Sequence, residues 1–195
     1  MKEKVFIIMG KSSTGKDTIF REIMKRNHLG LKRVVPYTTR PRRNNEKDGK
    51  QYYFVTAEER DKMAHEGKIL EIRNYQTALG EWSYFTARDQ NWDDKNPHLM
   101  IGTLDTFKKL KINCMDREII PIYIEVESGD RLQRSLSRER KEKNPKYVEM
   151  CRRFIADEMD FSEDALKAAG IKKRFYNKDL KKTVDEILSF IEDNI

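Results

Sequence analysis

Near its start the chain runs Val5-Phe6-Ile7-Ile8-Met9, then Gly10-Lys11-Ser12-Ser13-Thr14-Gly15-Lys16. No other feature restricts the fold as tightly. A continuous apolar run of that length, stopped by glycine, reads as a strand buried on both faces. Beyond the loop, Ile19, Ile23 and Met24 fall at helical spacing, and that helix is expected to end near Asn27–Gly30. Strand, glycine-punctuated loop and helix open a βαβ unit. The loop matches G-x-x-x-x-G-K, the pattern of a phosphate-binding loop. Its chemistry follows from its residues. Gly10, Ser12, Ser13, Thr14 and Gly15 supply backbone N–H groups that converge on phosphate oxygens. The next helix adds its positive N-terminal end, and Lys16 a mobile charge for β- and γ-phosphates.

The position after the lysine departs from the common pattern, which has Ser or Thr. Here it is Asp17, followed by Thr18. Beside a triphosphate a bare carboxylate is repelled unless a cation lies between. Asp17 and Thr18 are therefore candidate Mg²⁺ ligands, the carboxylate binding directly or through water. The competing reading of Asp17 is a helix-terminal acid that favours the dipole.

Further along, strands are expected at Leu31–Tyr37 (shortened by Pro36), Tyr52–Val55, Ile69–Tyr75, Trp82–Thr86, Leu99–Thr103, Ile119–Val126 and Arg174–Tyr176. Thr56-Ala57-Glu58-Glu59 has the form of a capping box opening a helix to about Glu66. Helices are also expected over Leu104 to about Lys111, Asp130–Lys141 and the C-terminal amphipathic stretch with Leu180, Val184, Ile187, Leu188 and Ile191. Alternation of this kind predicts an α/β fold, a mostly parallel sheet covered by helices on both faces. Together Tyr52–Thr86 is expected to form a small β-rich lobe inserted in the fold.

Lys and Arg number 40 against 33 Asp and Glu, a net charge of +7 over 195 residues. The surplus suits an anionic ligand. Acids interleave with the bases throughout, and no aromatic-rich RNA-binding signature accompanies them, so a nucleic-acid partner is not expected. Cys114 and Cys151 make neither a disulfide framework nor a metal cluster, as in a reducing compartment. The N-terminal apolar run is too short for a signal-peptide core or a membrane span. A cytoplasmic protein without a membrane partner is the expectation.

After Tyr37-Thr38-Thr39, residues Arg40, Arg43, Glu46, Gly49 and Tyr52 recur every third position. Two forked guanidinium groups and a phenol suit a second phosphate group. Taken alone, the stretch reads equally well as a solvated charged loop.

This stretch, with the phosphate loop, Leu70-Glu71, Tyr84-x-Thr86, Arg134-x-x-x-Arg138, Arg153 and Asn177-x-Asp179-Leu180, resembles the guanylate kinase family over about residues 4 to 190. The resemblance implies a P-loop core over 1–35, 97–126 and 170–195, a GMP-binding lobe at about 36–90 and a helical lid at about 127–160. It implies phosphorylation of GMP, with dGMP as an alternative acceptor, by Mg·ATP through direct in-line transfer. It implies Arg40, Arg43, Tyr52 and Tyr84 around the GMP phosphate. Glu71 would accept from guanine N1–H and the 2-amino group, and Thr86 would donate to O6. Arg134, Arg138 and Arg153 would serve the lid and, with Lys16 and Arg40, catalysis, while Asn177 would lie near adenine. Three features depart from the family pattern: Pro36 carries no donor, Gly102-Thr103-Leu104 carries no acid where the family has Asp-x-Asp, and Gln76–Gly80 is longer than the family's turn. The acid after Lys16 also resembles ribose 1,5-bisphosphate phosphokinases, but the complete arginine ladder favours GMP. A non-catalytic guanylate-kinase-like binding module is disfavoured by the intact Lys16 loop. A regulatory GTPase is disfavoured because Asn177-Lys178-Asp179-Leu180 is not Asn-Lys-x-Asp.

Overall fold

The computed structural model describes residues 2–43, 46–77, 80–89, 92 and 96–195. The opening apolar run is β1 (Glu3–Met9). Val5 to Met9 are all completely buried, each contributing about 1.5–3 kcal/mol of burial. They lie at the centre of a five-stranded sheet because neither face of β1 meets water. The strand order is β2-β7-β1-β8-β9, from β2 (Lys32–Arg33), β7 (His98–Ile101), β8 (Arg117–Glu125) and β9 (Arg174–Tyr176), and all pairings are parallel.

Side-chain alternation along β1 divides the core in two. Phe6 and Ile8 pack against α1 (Lys16–Arg26) and α7 (Leu180–Glu192). Val5, Ile7 and Met9 pack against α3 (Leu104–Asn113) and α6 (Glu163–Ala168). Both faces are thus covered, as the continuous apolar strands require. Among the described residues no helix is long and apolar enough to cross a membrane, and Cys114 and Cys151 are free.

A second sheet, order β4-β3-β6-β5, comprises β3 (Tyr37–Thr38), β4 (Tyr53–Phe54), β5 (Ile69–Thr77) and β6 (Gly80–Ala87). Here one expectation is corrected. Leu31–Tyr37 is not one strand but two short ones in different sheets, β2 and β3. Pro36 interrupts the run because it has no N–H to donate; its carbonyl instead accepts from Tyr53 N at 2.9 Å. The chain leaves the central sheet there. Helix α2 (Ala57–His65) starts with the full capping box, Thr56 and Glu59 satisfying each other's backbone N–H. The segment Gln76–Gly80, expected to be longer than the family's turn, includes residues 78 and 79, which lie outside the described residues.

The β5–β6 hairpin docks on α3. Lys109 Nζ donates to Ile72 O at 2.9 Å and Asn113 Nδ2 to Leu70 O at 2.6 Å. Two helices, α4 (Ser128–Glu139) and α5 (Tyr147–Asp160), pack together and follow β8.

Candidate active site

The loop between β1 and α1 lies at the C-terminal ends of the parallel strands, where ligands of α/β sheets gather. A Cβ on Gly10 would sit 2.5 Å from the Ile124 carbonyl oxygen, so only glycine fits against β8. Gly15 has φ 88° and ends the loop in the left-handed region. Ser13 adopts φ 65°, the one positive φ outside glycine among the described residues. Such a conformation costs energy and persists only where neighbours hold it. Here Ser13 Oγ meets Ser135 Oγ of α4 at 2.7 Å. Asn177, buried after β9, donates its amide to Thr14 O at 2.8 Å. It braces the loop from beneath and also lines a cavity of about 350 Å³ with Lys11, Thr14 and Tyr176.

Lys16 opens α1. Burial pushes its ammonium below the usual lysine value; Asp17 and Asp157 oppose that shift, and Arg138 and Arg131 reinforce it. Asp17 is exposed in the first helical turn, and Thr18 Oγ1 accepts from Arg21 at 3.3 Å. No group of three or more His, Cys, Asp or Glu able to hold a metal occurs among the described residues. The hard oxygens of Asp17 and Thr18 still suit Mg²⁺, which takes one or two protein ligands and completes its shell with water and phosphate.

Beside Asp17 opens a second cavity, about 340 Å³, lined also by Arg33, Arg40, Arg43, Tyr52 and Tyr84. Arg40 is almost fully buried. It grips Glu46 bidentately at 2.8 and 2.9 Å and donates through Nε to Tyr84 Oη at 3.1 Å. Its guanidinium lies 5.6 Å from the Tyr52 ring centroid. Glu46 also accepts from the Arg43 backbone N–H at 2.9 Å, and these contacts, Arg40's first, hold its carboxyl below the usual range. The three-residue recurrence therefore folds back on itself, with Glu46 as the organiser of Arg40 and Arg43.

Glu71 and Thr86 are cross-strand partners on β5 and β6, both buried, with Thr86 Oγ1 donating to Glu71 Oε1 at 2.8 Å. Arg73 Nε reaches Glu71 Oε2 at 3.2 Å.

Of the predicted arginines of the helical segment, Arg134 and Arg138 line one cavity and Arg138 and Arg153 another. Arg134 donates to Asn177 O at 3.3 Å. Arg138 lines a cavity with Arg43 and Arg153. Arg153 is exposed and lies over Glu149, with Nε 3.7 Å from its carboxylate.

Several residues here have no counterpart among the sequence expectations. Arg131, fully buried, donates to Glu158 and to Ser12 O, and stacks 4.4 Å from the Phe154 ring centroid. Asp157 Oδ2 accepts from the Ser12 backbone N–H at 2.7 Å, and Lys11 pairs with Glu158 at 2.5 Å. Acids of α5 thus stand on the phosphate loop. One signal was available in the sequence. Arg131, Ser135 and Glu139 recur at four-residue spacing, and they are the buried face of α4.

This arrangement places the glycine-containing loop and the arginine-lined cavity next to each other at the first turn of α1. The guanylate kinase family profile matches residues 2–194. The chain belongs to the guanylate kinase family.

Among relatives, it is 45% identical over 74 residues to a guanylate kinase of Thermotoga maritima, covering 36% of this chain and 34% of that protein. It is 34% identical over 137 residues to one from Syntrophotalea carbinolica, covering 68% and 61%. The matched stretches take in less than two thirds of these relatives' own lengths. The crystal structure of guanylate kinase from Anaplasma phagocytophilum superposes with a TM-score of 0.65 at 20% identity, over 99% of this chain and 86% of that one. At that identity the likeness concerns the fold. The two-sheet α/β architecture is thus that of a guanylate kinase family fold.

Proposed function

We propose that this guanylate kinase family protein transfers the γ-phosphoryl group of ATP to GMP, giving ADP and GDP. The observation that carries the reading is the position of Asp17. It follows Lys16 in the phosphate loop, yet it lines the cavity of Arg40, Arg43, Tyr52 and Tyr84. Two phosphate cradles therefore meet at the first turn of α1, as transfer between two anions demands.

In this reading the loop backbone and Lys16 hold the β- and γ-phosphates. A phosphate arriving at the Ser12 amide takes the place of the Asp157 carboxylate. Asn177 keeps the loop in shape on the adenine side. Arg40, Arg43, Tyr52 and Tyr84 hold the acceptor phosphate, while Glu71 and Thr86 face the base. The second sheet is the acceptor lobe. Helices α4 and α5 form the lid that brings Arg134, Arg138 and Arg153 toward the transferring group and excludes water. Mg²⁺ would be held by Asp17 and Thr18. When bound it supplies positive charge that neutralises the triphosphate.

A coupled assay of the purified protein with ATP against GMP, dGMP, AMP, UMP and ribose 1,5-bisphosphate tests the function. The highest kcat/KM is expected with a guanine nucleotide; a higher value with any other acceptor overturns the proposal.

The metal assignment has its own outcome. Asp17→Asn keeps the size and removes the charge, so more Mg²⁺ should be needed for half-maximal rate, with thermal stability of the free protein little changed. Asp17→Ser should recover part of the activity by restoring the common hydroxyl. Coincident Mg²⁺ titrations of the three proteins, with the stability of Asp17→Asn lowered instead, would make Asp17 a helix-dipole acid.

A further inference from the structure

On one face of the β5–β6 hairpin, Glu71 lies opposite Thr86 and Arg73 opposite Tyr84. The four side chains run from the base end proposed above, Glu71 and Thr86, to the phosphate end, where Tyr84 meets Arg40. Arg73 stands between these ends beside Glu71, and its charge is felt at the Tyr52 phenol. Its side chain is mostly buried, and that of Glu71 is completely so. The guanidinium is fixed by two bonds, Nε to Glu71 Oε2 at 3.2 Å and one terminal nitrogen to Thr103 Oγ1 at 3.3 Å. Thr103 caps α3 in the central domain, so Arg73 is held from both sides.

Thr86 has one hydroxyl hydrogen, and it is given to Glu71 Oε1. Its hydroxyl cannot donate to a purine carbonyl while that bond stands. Pro36 offers no donor, and Leu104 no polar side chain. A guanidinium carries five N–H donors, and these contacts use two of the five on Arg73. Its second terminal nitrogen has no hydrogen bond among the described residues. Guanine carries N1–H and the 2-amino group on the edge that Glu71 would accept from. Its two acceptors, O6 and N7, follow next to N1 along the edge leading back toward the ribose. A forked donor placed beside Glu71 on the phosphate side meets that edge.

We infer that Arg73 is a specificity residue for the acceptor base, donating through its free N–H groups to purine O6 and N7. This rests on the GMP-phosphorylating reading. Adenine presents an amino donor where guanine has O6 and a bare N1 acceptor where guanine has N1–H, so Arg73 and Glu71 together reject it: a donor faces a donor at Arg73 and an acceptor faces an acceptor at Glu71.

The experiment compares GMP with 7-deaza-GMP, which replaces N7 by C–H and leaves the edge read by Glu71 unaltered. The wild-type protein should favour GMP by roughly 10- to 100-fold in kcat/KM, the size of one charge-assisted hydrogen bond. In Arg73→Ala that ratio should fall to near one, with KM for GMP raised and KM for ATP unchanged. Arg73→Lys keeps the charge without the fork and should restore only part of the ratio. A wild-type ratio near one overturns the inference without recourse to any variant, as does an undiminished ratio in Arg73→Ala. A protein that turns over GMP but ignores N7 leaves the proposed function standing; one that does not turn over GMP removes both.

Discussion

Lys16→Ala is expected to lower kcat/KM by roughly 10³-fold, the scale seen when a positioned donor to a transition-state charge is removed. The structure separates this effect from folding. In the free protein, burial already disfavours the Lys16 ammonium. Its folded value lies below its unfolded one, so stability rises as pH climbs through that lowered value toward the ordinary lysine range. Alanine removes a charge that the free protein holds at a cost, so the variant should be at least as stable at neutral pH and should lose that alkaline rise. Kinetics with saturating acceptor, together with denaturation curves from neutral pH to pH 10, check both halves. Near-normal turnover would turn the loop into a non-catalytic binding element. A large loss of stability would make Lys16 part of the scaffold.

A second large effect is expected at Arg40, and it should differ in kind from that at Arg43. Arg40 is buried in a bidentate pair with Glu46, whose side chain is 14% exposed. Arg40→Ala leaves that carboxylate without its main partner, at a cost of about 3 kcal/mol. It should also raise KM for the acceptor tenfold or more while KM for ATP holds. Glu46 adds a pH signature. Its depressed carboxyl contributes stability above its unfolded value, lost as pH falls through the folded one. Arg40→Ala should flatten that acid limb. The Arg43 side chain is exposed, and Arg43 meets Glu46 through its backbone, its N–H donating to the carboxylate and its carbonyl accepting from the Glu46 N–H. Arg43→Ala should therefore raise acceptor KM with stability changed by less than about 0.5 kcal/mol. Equal stability losses in the two variants would contradict this division.

That contrast shows where reading along the chain stops. From the ladder alone, Arg40 and Arg43 are equivalent guanidinium groups three residues apart. Their difference arises because the loop turns back and places the Glu46 carboxylate against one side chain and the backbone of the other.

The central sheet was legible because its determinants are local. Val5–Met9 has the apolar continuity of a doubly covered strand, and the following loop has glycines where backbone must approach backbone. The capping box at Thr56 and the amphipathic C-terminal helix are likewise short-range patterns, and both elements form where expected. Pro36 was visible too, but its consequence was not. Whether a proline trims a strand or sends the chain into another sheet depends on which partner accepts the next residues, here β4 and β6.

The composition of the site followed the same division. Lys16 and Asp17 were expected from the loop pattern after β1, Arg40, Arg43 and Tyr52 from the three-residue ladder read with the family resemblance, and Glu71, Tyr84 and Thr86 from the resemblance alone. Arg131, Asp157 and Glu158 were not, because nothing near them in the chain marks them. They meet the phosphate loop only when α4 and α5 fold over β1, across sequence separations of 119 to 147 residues. Arg73 is the same case at short range: two residues from Glu71, it looks like any strand arginine until Thr103 and the β5–β6 register hold it beside that carboxylate. Local backbone chemistry is written in neighbouring residues and can be read from them. Partnerships between charges are set by which surfaces the packed core brings together, and that is a property of the whole fold.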